Sequence, residues 1–227
     1  LRRQRQMCIR DSFTGNPGTG KTTIARILAK YLKAIGALRG GQLVEVTRAD
    51  LVGRYVGHTA PLTNSVIQSA LGGVLFIDEA YALYRGGEDS FGLEAIDTLV
   101  KGIEDHRDDL VVILAGYTKE MQLFLSANSG LASRFPNQIE FPDYSGEELY
   151  KILCSIAKGK GYTLDDACKL PLVTYFDRKQ VEDAATNGNG RMARNTLEKA
   201  ILNQSKRLVA DPDASLELLL PGDFELE

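Results

Sequence analysis

Short apolar runs alternate with amphipathic segments along roughly the first 142 residues of the chain. Two of the runs are almost wholly apolar, as strands buried on both faces of a sheet are. Alternating strand and helix patterns are typical of repeated βα units, so we expect a mostly parallel sheet covered by helices. The predicted strands are Ser12–Thr14, Leu43–Val46, Val74–Ile77, Leu110–Ala115 and Gln138–Phe141.

The first helical segment has the clearest periodicity in the chain. Large apolar residues recur in it at spacings of three and four, which places them on one face of a helix. We therefore predict that this face packs against the sheet. The residues concerned are Ile24, Ile27, Leu28, Tyr31, Leu32 and Ile35.

Beyond residue 143 the strand signal fades and helical patterns take over. Ser145 and Glu148 have the spacing of a capping box and open a predicted helix over Glu147–Lys158. A glycine turn at Gly188-Asn-Gly190 precedes a last helix, predicted over Met192–Leu208. A second, helical lobe is therefore expected over residues 143–227.

Composition narrows the functional classes. The 227 residues are 44% hydrophobic and 25% charged, as in ordinary folded proteins, and the net charge of −3 gives no general attraction for nucleic acid. No apolar stretch has the length of a membrane helix, and the three cysteines have no metal-site or disulfide spacing. We expect a cytoplasmic protein with neither a nucleic-acid partner nor a membrane segment.

The first eleven residues do not fit this scheme. The pair Arg10-Asp11 falls where a buried strand would run, so residues 1–11 are predicted to be poorly ordered or a non-native leader. The predicted α/β core domain then covers residues 12–142.

A phosphate-binding motif follows the first predicted strand. Gly15-Asn-Pro-Gly-Thr-Gly-Lys-Thr22 matches G-x-x-x-x-G-K-[ST] and opens the strongest helix, which is the context that a P-loop requires. Its backbone N–H groups would surround phosphate oxygens, Lys21 would reach the β- and γ-phosphates, and Thr22 would bind Mg²⁺. The candidate nucleotide-binding residues are Asn16, Pro17, Gly18, Thr19, Gly20, Lys21, Thr22 and Thr23.

Two carboxylates end the third predicted strand. Asp78 and Glu79 follow Val74–Ile77, at the edge of an open α/β sheet where ligands bind. Beside a complete P-loop this pattern indicates a Walker B motif. Asp78 would hold Mg²⁺, and Glu79 would polarise the water that attacks the γ-phosphate.

These motifs, with the segments between them, resemble the CbbX/CfxQ group of AAA+ ATPases. The group includes red-type Rubisco activases, the stage V sporulation protein K type and ATPases of type VII secretion. The resemblance runs from residue 12 to the final helix and is strongest before residue 145. It rests on Phe13–Thr23, Leu43–Val46, Asp50–Thr59, Gly72–Leu83, Phe91–Asp97, Asp108–Ile113, Gly116-Tyr117, Ser133–Phe135 and Phe141–Tyr144.

The resemblance implies an α/β P-loop fold of the AAA+ type followed by a small helical lid, with ATP and Mg²⁺ as cofactors. It also implies a homo-hexamer in which Arg134 is the arginine finger of the neighbouring site. Arg191 corresponds to the sensor 2 arginine, with Arg194 as the alternative. Without the resemblance, Arg134 would more often be a surface or ion-paired arginine, so the finger role depends on the family.

Two further positions depend on the family. The segment Arg54-Tyr-Val-Gly57 lies where AAA+ translocases carry a pore loop, so Tyr55, Val56 and Gly57 would grip a client chain. The alternative is that Tyr55 packs in the core. The polar sensor 1 residue of many AAA+ proteins has no clear match, and either Tyr117 or Thr118 could replace it.

The sequence thus predicts an ATP-hydrolysing motor subunit that remodels a protein client, with a sporulation protein K-like role ranked first. A nucleotide-dependent scaffold with low turnover and a P-loop small-molecule kinase are the alternatives. A kinase would need neither Glu79, nor Arg134, nor a C-terminal lobe carrying an arginine.

Overall fold

The computed structural model describes residues 10–183, 186, 188–210 and 214–226. The chain divides into two compact units. The first contains the described residues up to Gly15 together with Gly20–Phe141, and the second contains Asn16–Thr19 and the described residues from Pro142 onward.

A parallel five-stranded sheet forms the centre of the first unit, with the strand order β2-β3-β4-β1-β5. Each connection between neighbouring parallel strands needs a crossover, and helices supply it. The strands are β1 (Arg10–Thr14), β2 (Leu43–Val46), β3 (Val74–Ile77), β4 (Val111–Gly116) and β5 (Asn137–Glu140). The helices are α1 (Lys21–Ala34), α2 (Arg48–Leu51), α3 (Thr59–Ala70), α4 (Ser90–Asp105), α5 (Thr118–Ala127) and α6 (Ser129–Ala132).

Alternate residues of β3 and β4 pack in two separate cores because successive side chains of a strand point to opposite faces of the sheet. Leu75 and Ile77 lie in a core shared with α3, α4 and α5. Val74 and Phe76 lie in a smaller core shared with α1 and with Phe13 of β1. The predicted fold, a parallel sheet with helices on both faces, is confirmed, and two strands, β2 and β3, have the predicted bounds.

Helix α1 forms as predicted, but only part of its predicted face is buried: Leu28 and Leu32 lie at the core, whereas the other four predicted residues do not. Ala25, Ala29 and Leu32 face the core, and Leu28 lies half-buried beside them. Small alanines let the helix axis approach the sheet closely. The large apolar side chains on the adjacent face are exposed instead: Ile24 is 45% exposed, Ile27 57%, Tyr31 58% and Ile35 53%.

Strand β1 begins at Arg10, so Arg10 and Asp11 belong to the sheet and not to the predicted leader. The Arg10 guanidinium donates to Ile103 O at 3.2 Å and to Glu104 Oε2 at 3.4 Å, while Asp11 Oδ1 accepts from Asn137 Nδ2 at 3.1 Å. These partners satisfy both charges, which is why a charged pair is tolerated there. Residues 1–9 of the predicted leader lie outside the described residues.

In its described residues, the second unit contains three α-helices and a two-stranded parallel ribbon. They are α7 (Gly146–Gly159), β6 (Thr163–Leu164), α8 (Lys169–Asp183), α9 (Gly190–Ala210) and β7 (Leu218–Leu219). Leu149 and Leu153 of α7 pack with Leu172 and Phe176 of α8 and with Leu197 of α9 in one core. The predicted capping box is confirmed at the start of α7, where Ser145 and Glu148 each bond the other's backbone N–H.

Candidate functional site

The loop between β1 and α1 depends on glycine at several positions. Gly15, Gly18 and Gly20 have φ angles of 141°, 74° and 93°, a range that disfavours any residue with a Cβ. Gly15 donates its N–H to Gly116 O of β4 at 3.2 Å, and a Cβ at Gly15 would overlap Phe141 O. The backbone conformation of the motif is thus available to glycine and closed to most substitutions.

Lys21 is the first residue of α1, and its ammonium group folds back over the loop. Lys21 Nζ donates to Gly15 O at 2.8 Å. Thr22 and Thr23 follow in the first turn of the helix, which contains no acidic residue. The positive end of the helix and the Lys21 charge therefore reinforce each other, as binding of a polyanion requires.

Asp78 and Glu79 end β3 at the same edge of the sheet at which β1 leads into the glycine loop. Since β1 and β3 run parallel on either side of β4, their carboxyl ends lie at one edge. Asp78 donates its N–H to Val46 O at 2.8 Å and so continues the ladder with β2. The structure thus brings Lys21, Asp78 and Glu79 to one edge.

Glu79 has an uncommon backbone conformation. Its φ of 48° and ψ of 44° lie in the left-handed region, which costs free energy for a residue with a Cβ. The Glu79 N–H donates to Asp78 Oδ1 at 3.0 Å, and its side chain is exposed. Strained non-glycine residues concentrate at functional sites, so the conformation of Glu79 marks this edge of the sheet as a candidate site.

A pair of tyrosines lies beside these carboxylates, and the sequence did not indicate it. The rings of Tyr81, just after β3, and Tyr117, just after β4, stack with centroids 5.8 Å apart. Burial, followed by the charge of Glu79, raises the pKa of Tyr81 to about 12, so its hydroxyl keeps its proton. The sequence shows a tyrosine after each of two predicted strands. It does not show that these two strands are neighbours in the sheet, which is what brings the two rings together.

The position after β4 offers no asparagine as a sensor. Gly116 ends the strand, and a Cβ there would meet the Tyr81 ring and Met121. Tyr117 follows with its ring on Tyr81, and Thr118 begins α5. Tyr117 and Thr118 both stay candidates for the sensor role.

The remaining residues of the glycine loop, Asn16 to Thr19, belong to the second unit. Asn16 Nδ2 donates to both carboxylate oxygens of Asp143, at 3.1 and 2.9 Å. At Gly18 a Cβ would overlap Gly188 O, so a side chain there would push this part of the loop away from residue 188.

The two candidate sensor 2 arginines lie at the start of α9. Arg191 donates its backbone N–H to Gly188 O at 2.8 Å, and its side chain is exposed. Arg194 is exposed one turn later. Among the residues that the structure describes, neither guanidinium has an ion-pair partner.

Arg134 follows α6 and is held against its own unit. Its Nη1 donates to Gly130 O at 3.0 Å, and its Nε lies 3.8 Å from Glu104 Oε2. The side chain is 28% exposed, and within the described part of the chain the buried Nε has no hydrogen-bond acceptor. The arginine is thus anchored through one nitrogen, while another is left unsatisfied.

The Arg54–Gly57 segment connects α2 to α3 and projects its side chains into solvent. Tyr55 is 68% exposed and Val56 89% exposed, and nothing approaches the position of a Cβ at Gly57. The Tyr55 ring meets the His58 ring edge-on at 5.5 Å between centroids. The alternative that Tyr55 is a core residue is therefore wrong.

The donor set fits a hard cation whose coordination is completed by phosphate. Thr22 and Asp78 supply a hydroxyl and a carboxylate, and Mg²⁺ usually takes one or two such protein ligands together with water and phosphate oxygens. In the part of the chain that the structure describes, no group of three or more His, Cys, Asp or Glu residues could hold a metal ion by itself.

Comparison with protein families gives two matches along the chain. Residues 12–143 match the ATPase family associated with various cellular activities, AAA, and residues 145–227 match the AAA lid domain. None of the described helices is long and apolar enough to cross a membrane.

Curated relatives extend over most of the chain. Stage V sporulation protein K of Bacillus subtilis is 50% identical over 87% of this chain, and protein CbbX of Cereibacter sphaeroides is 47% identical over 91%. The chloroplastic ribulose bisphosphate carboxylase/oxygenase activase of Cyanidioschyzon merolae is 46% identical over 90%. The matched segment spans 62%, 66% and 70% of these three proteins, respectively.

Solved structures show the same fold at lower identity. The crystal structure of the FIGL-1 AAA domain in complex with ADP superposes with a TM-score of 0.65 and 19% identity, covering 96% of this chain and 70% of that one.

Proposed function

The chain belongs to the AAA family of ATPases, among the relatives of CbbX, CfxQ and stage V sporulation protein K, and from that premise we propose that it hydrolyses ATP to remodel a protein client. The observation that carries the proposal is Glu79, exposed and left-handed, at the sheet edge that also bears Asp78 and Lys21. We assign residues 12–142 to the nucleotide-binding core and residues 143–227 to the lid.

The glycine loop and the first turn of α1 bind the triphosphate. The backbone N–H groups between Asn16 and Thr23, except at Pro17, which has none, and the positive end of α1 face the phosphates. The Lys21 ammonium moves from Gly15 O to the β- and γ-phosphate oxygens. Thr22 and Asp78 would hold Mg²⁺, which would supply positive charge that offsets the negative charge of the phosphates.

Glu79 orients the attacking water. Its carboxylate accepts a hydrogen bond from the water, whose oxygen bonds to the γ-phosphorus as the bond to the β,γ-bridging oxygen breaks. ADP leaves with the electron pair of that bond, and the proton of the water passes to phosphate or solvent. An exposed carboxylate is suited to this role because substrate water reaches it directly.

Two arginines complete the site. Arg134 acts as the finger of the neighbouring subunit, and its unsatisfied Nε is consistent with an arginine that is incompletely paired in its own chain. Arg191 is the proposed sensor 2, since it lies in the first turn of α9, is exposed and follows Asn189 by two residues. Both roles require charge stabilisation at the γ-phosphate, which can contribute several kcal/mol.

The motor role adds a ring and a pore. A homo-hexamer would place Arg134 at the next subunit's nucleotide, and the exposed Tyr55, Val56 and Gly57 would contact a client chain. An aromatic ring followed by a valine offers an apolar surface that can contact a client chain whatever the sequence of that client. A cytoplasmic location and the absence of a nucleic-acid partner stay predictions of the sequence.

Phosphate release from ATP without any acceptor tests the proposal. We expect Lys21→Ala to lose ATP binding, and Glu79→Gln to bind ATP while hydrolysis falls by about 10²- to 10⁴-fold, because an amide cannot polarise water as a carboxylate does. Glu198→Gln, an acidic residue on α9, is the matched control and should hydrolyse ATP at the wild-type rate.

The contrary outcomes are distinct. Wild-type turnover by Glu79→Gln would remove Glu79 from the reaction. ATP binding without turnover in the wild-type protein would instead indicate a nucleotide-dependent scaffold, and turnover only with a phosphoryl acceptor would indicate a kinase.

A further inference from the structure

Three consecutive carbonyl groups of the glycine loop accept hydrogen bonds from one small cluster in the second unit. Pro17 O accepts from Asn189 Nδ2 at 3.3 Å, and Gly18 O accepts from the Gly190 N–H at 3.1 Å. Thr19 O accepts from the Tyr144 hydroxyl at 2.9 Å. We call Tyr144, Asn189 and the Gly190 N–H the carbonyl clamp.

The donors of the carbonyl clamp are themselves held. Asn189 is fully buried with a φ of 45°, a left-handed conformation that asparagine tolerates better than most residues. Its Oδ1 accepts from the Tyr144 N–H at 3.0 Å and from Gln180 Nε2 at 2.9 Å. Its Nδ2 also donates to Asp143 Oδ1 at 2.8 Å. A side chain with these partners has little freedom to rotate.

Tyr144 is fixed in the same cluster and keeps its proton. Its ring packs against the core of the second unit, and burial, followed by the charge of Glu148, raises the pKa of its hydroxyl. A hydroxyl that stays protonated is a constant donor to Thr19 O. The backbone N–H of Tyr144 is bonded to Asn189, so both ends of the residue belong to the cluster.

Holding these carbonyls orients the opposite side of each peptide group. In a planar trans peptide, the N–H of a residue points away from the C=O of the residue before it. Bonds to Pro17 O, Gly18 O and Thr19 O therefore turn the N–H groups of Gly18, Thr19 and Gly20 away from the clamp. These are N–H groups of the loop that binds phosphate in a P-loop.

We propose that Tyr144 and Asn189 are positioning residues that preorganise the phosphate-binding N–H groups by fixing the carbonyls of residues 17 to 19. The inference rests on the proposed function only in taking the ligand to be a nucleotide polyphosphate. A glycine-rich loop has many accessible peptide orientations. Fixing three of them in advance lowers the ordering cost that phosphate binding would otherwise bear.

The substitution Tyr144→Phe removes one clamp donor and keeps the ring. Because one neutral hydrogen bond is lost, we expect the Kd for ADP and the KM for ATP to rise about three- to tenfold. The kcat at saturating ATP should fall by less than the KM rises. Tyr162→Phe, a half-buried tyrosine packed on the same core and not bonded to residues 16–19 among the contacts described, should change neither constant.

Asn189→Asp tests the second clamp residue without altering its backbone. Aspartate tolerates the left-handed conformation and keeps an oxygen for the Tyr144 N–H, but it cannot donate to Pro17 O or Asp143. We expect a larger rise in the Kd for ADP than with Tyr144→Phe, since the amide donor is replaced by a carboxylate that repels Pro17 O and Asp143 Oδ1. Thermal unfolding of each variant, measured without nucleotide, separates this effect from loss of the fold.

The outcomes separate this inference from the proposed function. If wild-type protein binds ADP and both variants bind it equally well, the clamp does not position the loop. If affinity falls only in proportion to a lowered Tm, the clamp is structural and the inference is also overturned. If wild-type protein fails to bind ADP and ATP, the proposed function fails first.

Discussion

Among single residues, Tyr55 is the one whose environment changes its interpretation most. A tyrosine beside valine and glycine could belong to a core or to a pore loop, and its exposure of 68% removes the first alternative. The neighbouring Val56 is 89% exposed, so two adjacent apolar side chains lie in solvent, outside the cores that the described residues of the first unit form.

Tyr55→Ala should therefore leave the free energy of unfolding within about 0.5 kcal/mol of the wild-type value, as exposed substitutions do. Basal ATP hydrolysis should also be retained, whereas stimulation by an unfolded protein such as casein should be lost. Leu170→Ala, at a 76% exposed site of the second unit, is the control for loss of an exposed apolar side chain. Retained stimulation in Tyr55→Ala would exclude the pore-loop role.

At the scale of elements, α1 shows how a strong periodicity can be assigned to the wrong environment. The stripe of Ile24, Ile27, Tyr31 and Ile35 is apolar, yet the helix packs through Ala25, Ala29 and Leu32. Close approach to the sheet favours small side chains at the contact, and β3 and β4 supply the large ones, such as Phe76 and Ile113. Hydrophobic periodicity identifies the helix but does not by itself decide which face is buried.

The two faces of α1 should respond in opposite ways to substitution. Ala29→Leu adds bulk at a fully buried contact and should lower the free energy of unfolding by about 1–3 kcal/mol. Ile27→Ala truncates an exposed side chain and should change it by less than about 0.5 kcal/mol. Urea unfolding monitored by circular dichroism measures both. A larger loss for Ile27→Ala than for Ala29→Leu would contradict the observed orientation of the helix.

At the scale of the whole molecule, the proposed ring gives Arg134 its purpose. Within its own chain the guanidinium is held by Gly130 O and lies 3.8 Å from Glu104, which stabilises a position but performs no chemistry. If the arginine acts on the neighbouring subunit, a subunit that lacks only a working nucleotide loop can supply the arginine to a subunit that lacks only Arg134.

Mixing Lys21→Ala subunits with Arg134→Ala subunits should restore hydrolysis that neither variant has alone. In an equal mixture, about a quarter of the sites combine an intact nucleotide loop with a neighbour's intact arginine, so about a quarter of the wild-type rate is expected. Arg134→Ala mixed with the double variant Lys21→Ala, Arg134→Ala is the matched control and should stay inactive. Co-assembly shown by light scattering, without recovered activity, would show that Arg134 does not act in trans.

Much of the fold was predictable from sequence because it depends on neighbours along the chain. Two strands were bounded correctly by their apolar runs, and the capping box at Ser145 marked the start of α7. The ends of β1, β4 and β5 differ by one or two residues from the predictions. Arg10 was excluded from β1 because the partners of its charge, Ile103 and Glu104, are distant in sequence.

The sequence by itself determined the glycine loop, the apolar strands and the carboxylates after β3, since each follows from local backbone geometry and side-chain period. Only the tertiary structure decided which face of α1 is buried, that Tyr81 stacks on Tyr117, and that Tyr144 and Asn189 hold the carbonyls of the loop. These features join residues far apart in the chain, and a pattern in a linear sequence carries no information about which distant side chain satisfies a given polar group or covers a given face.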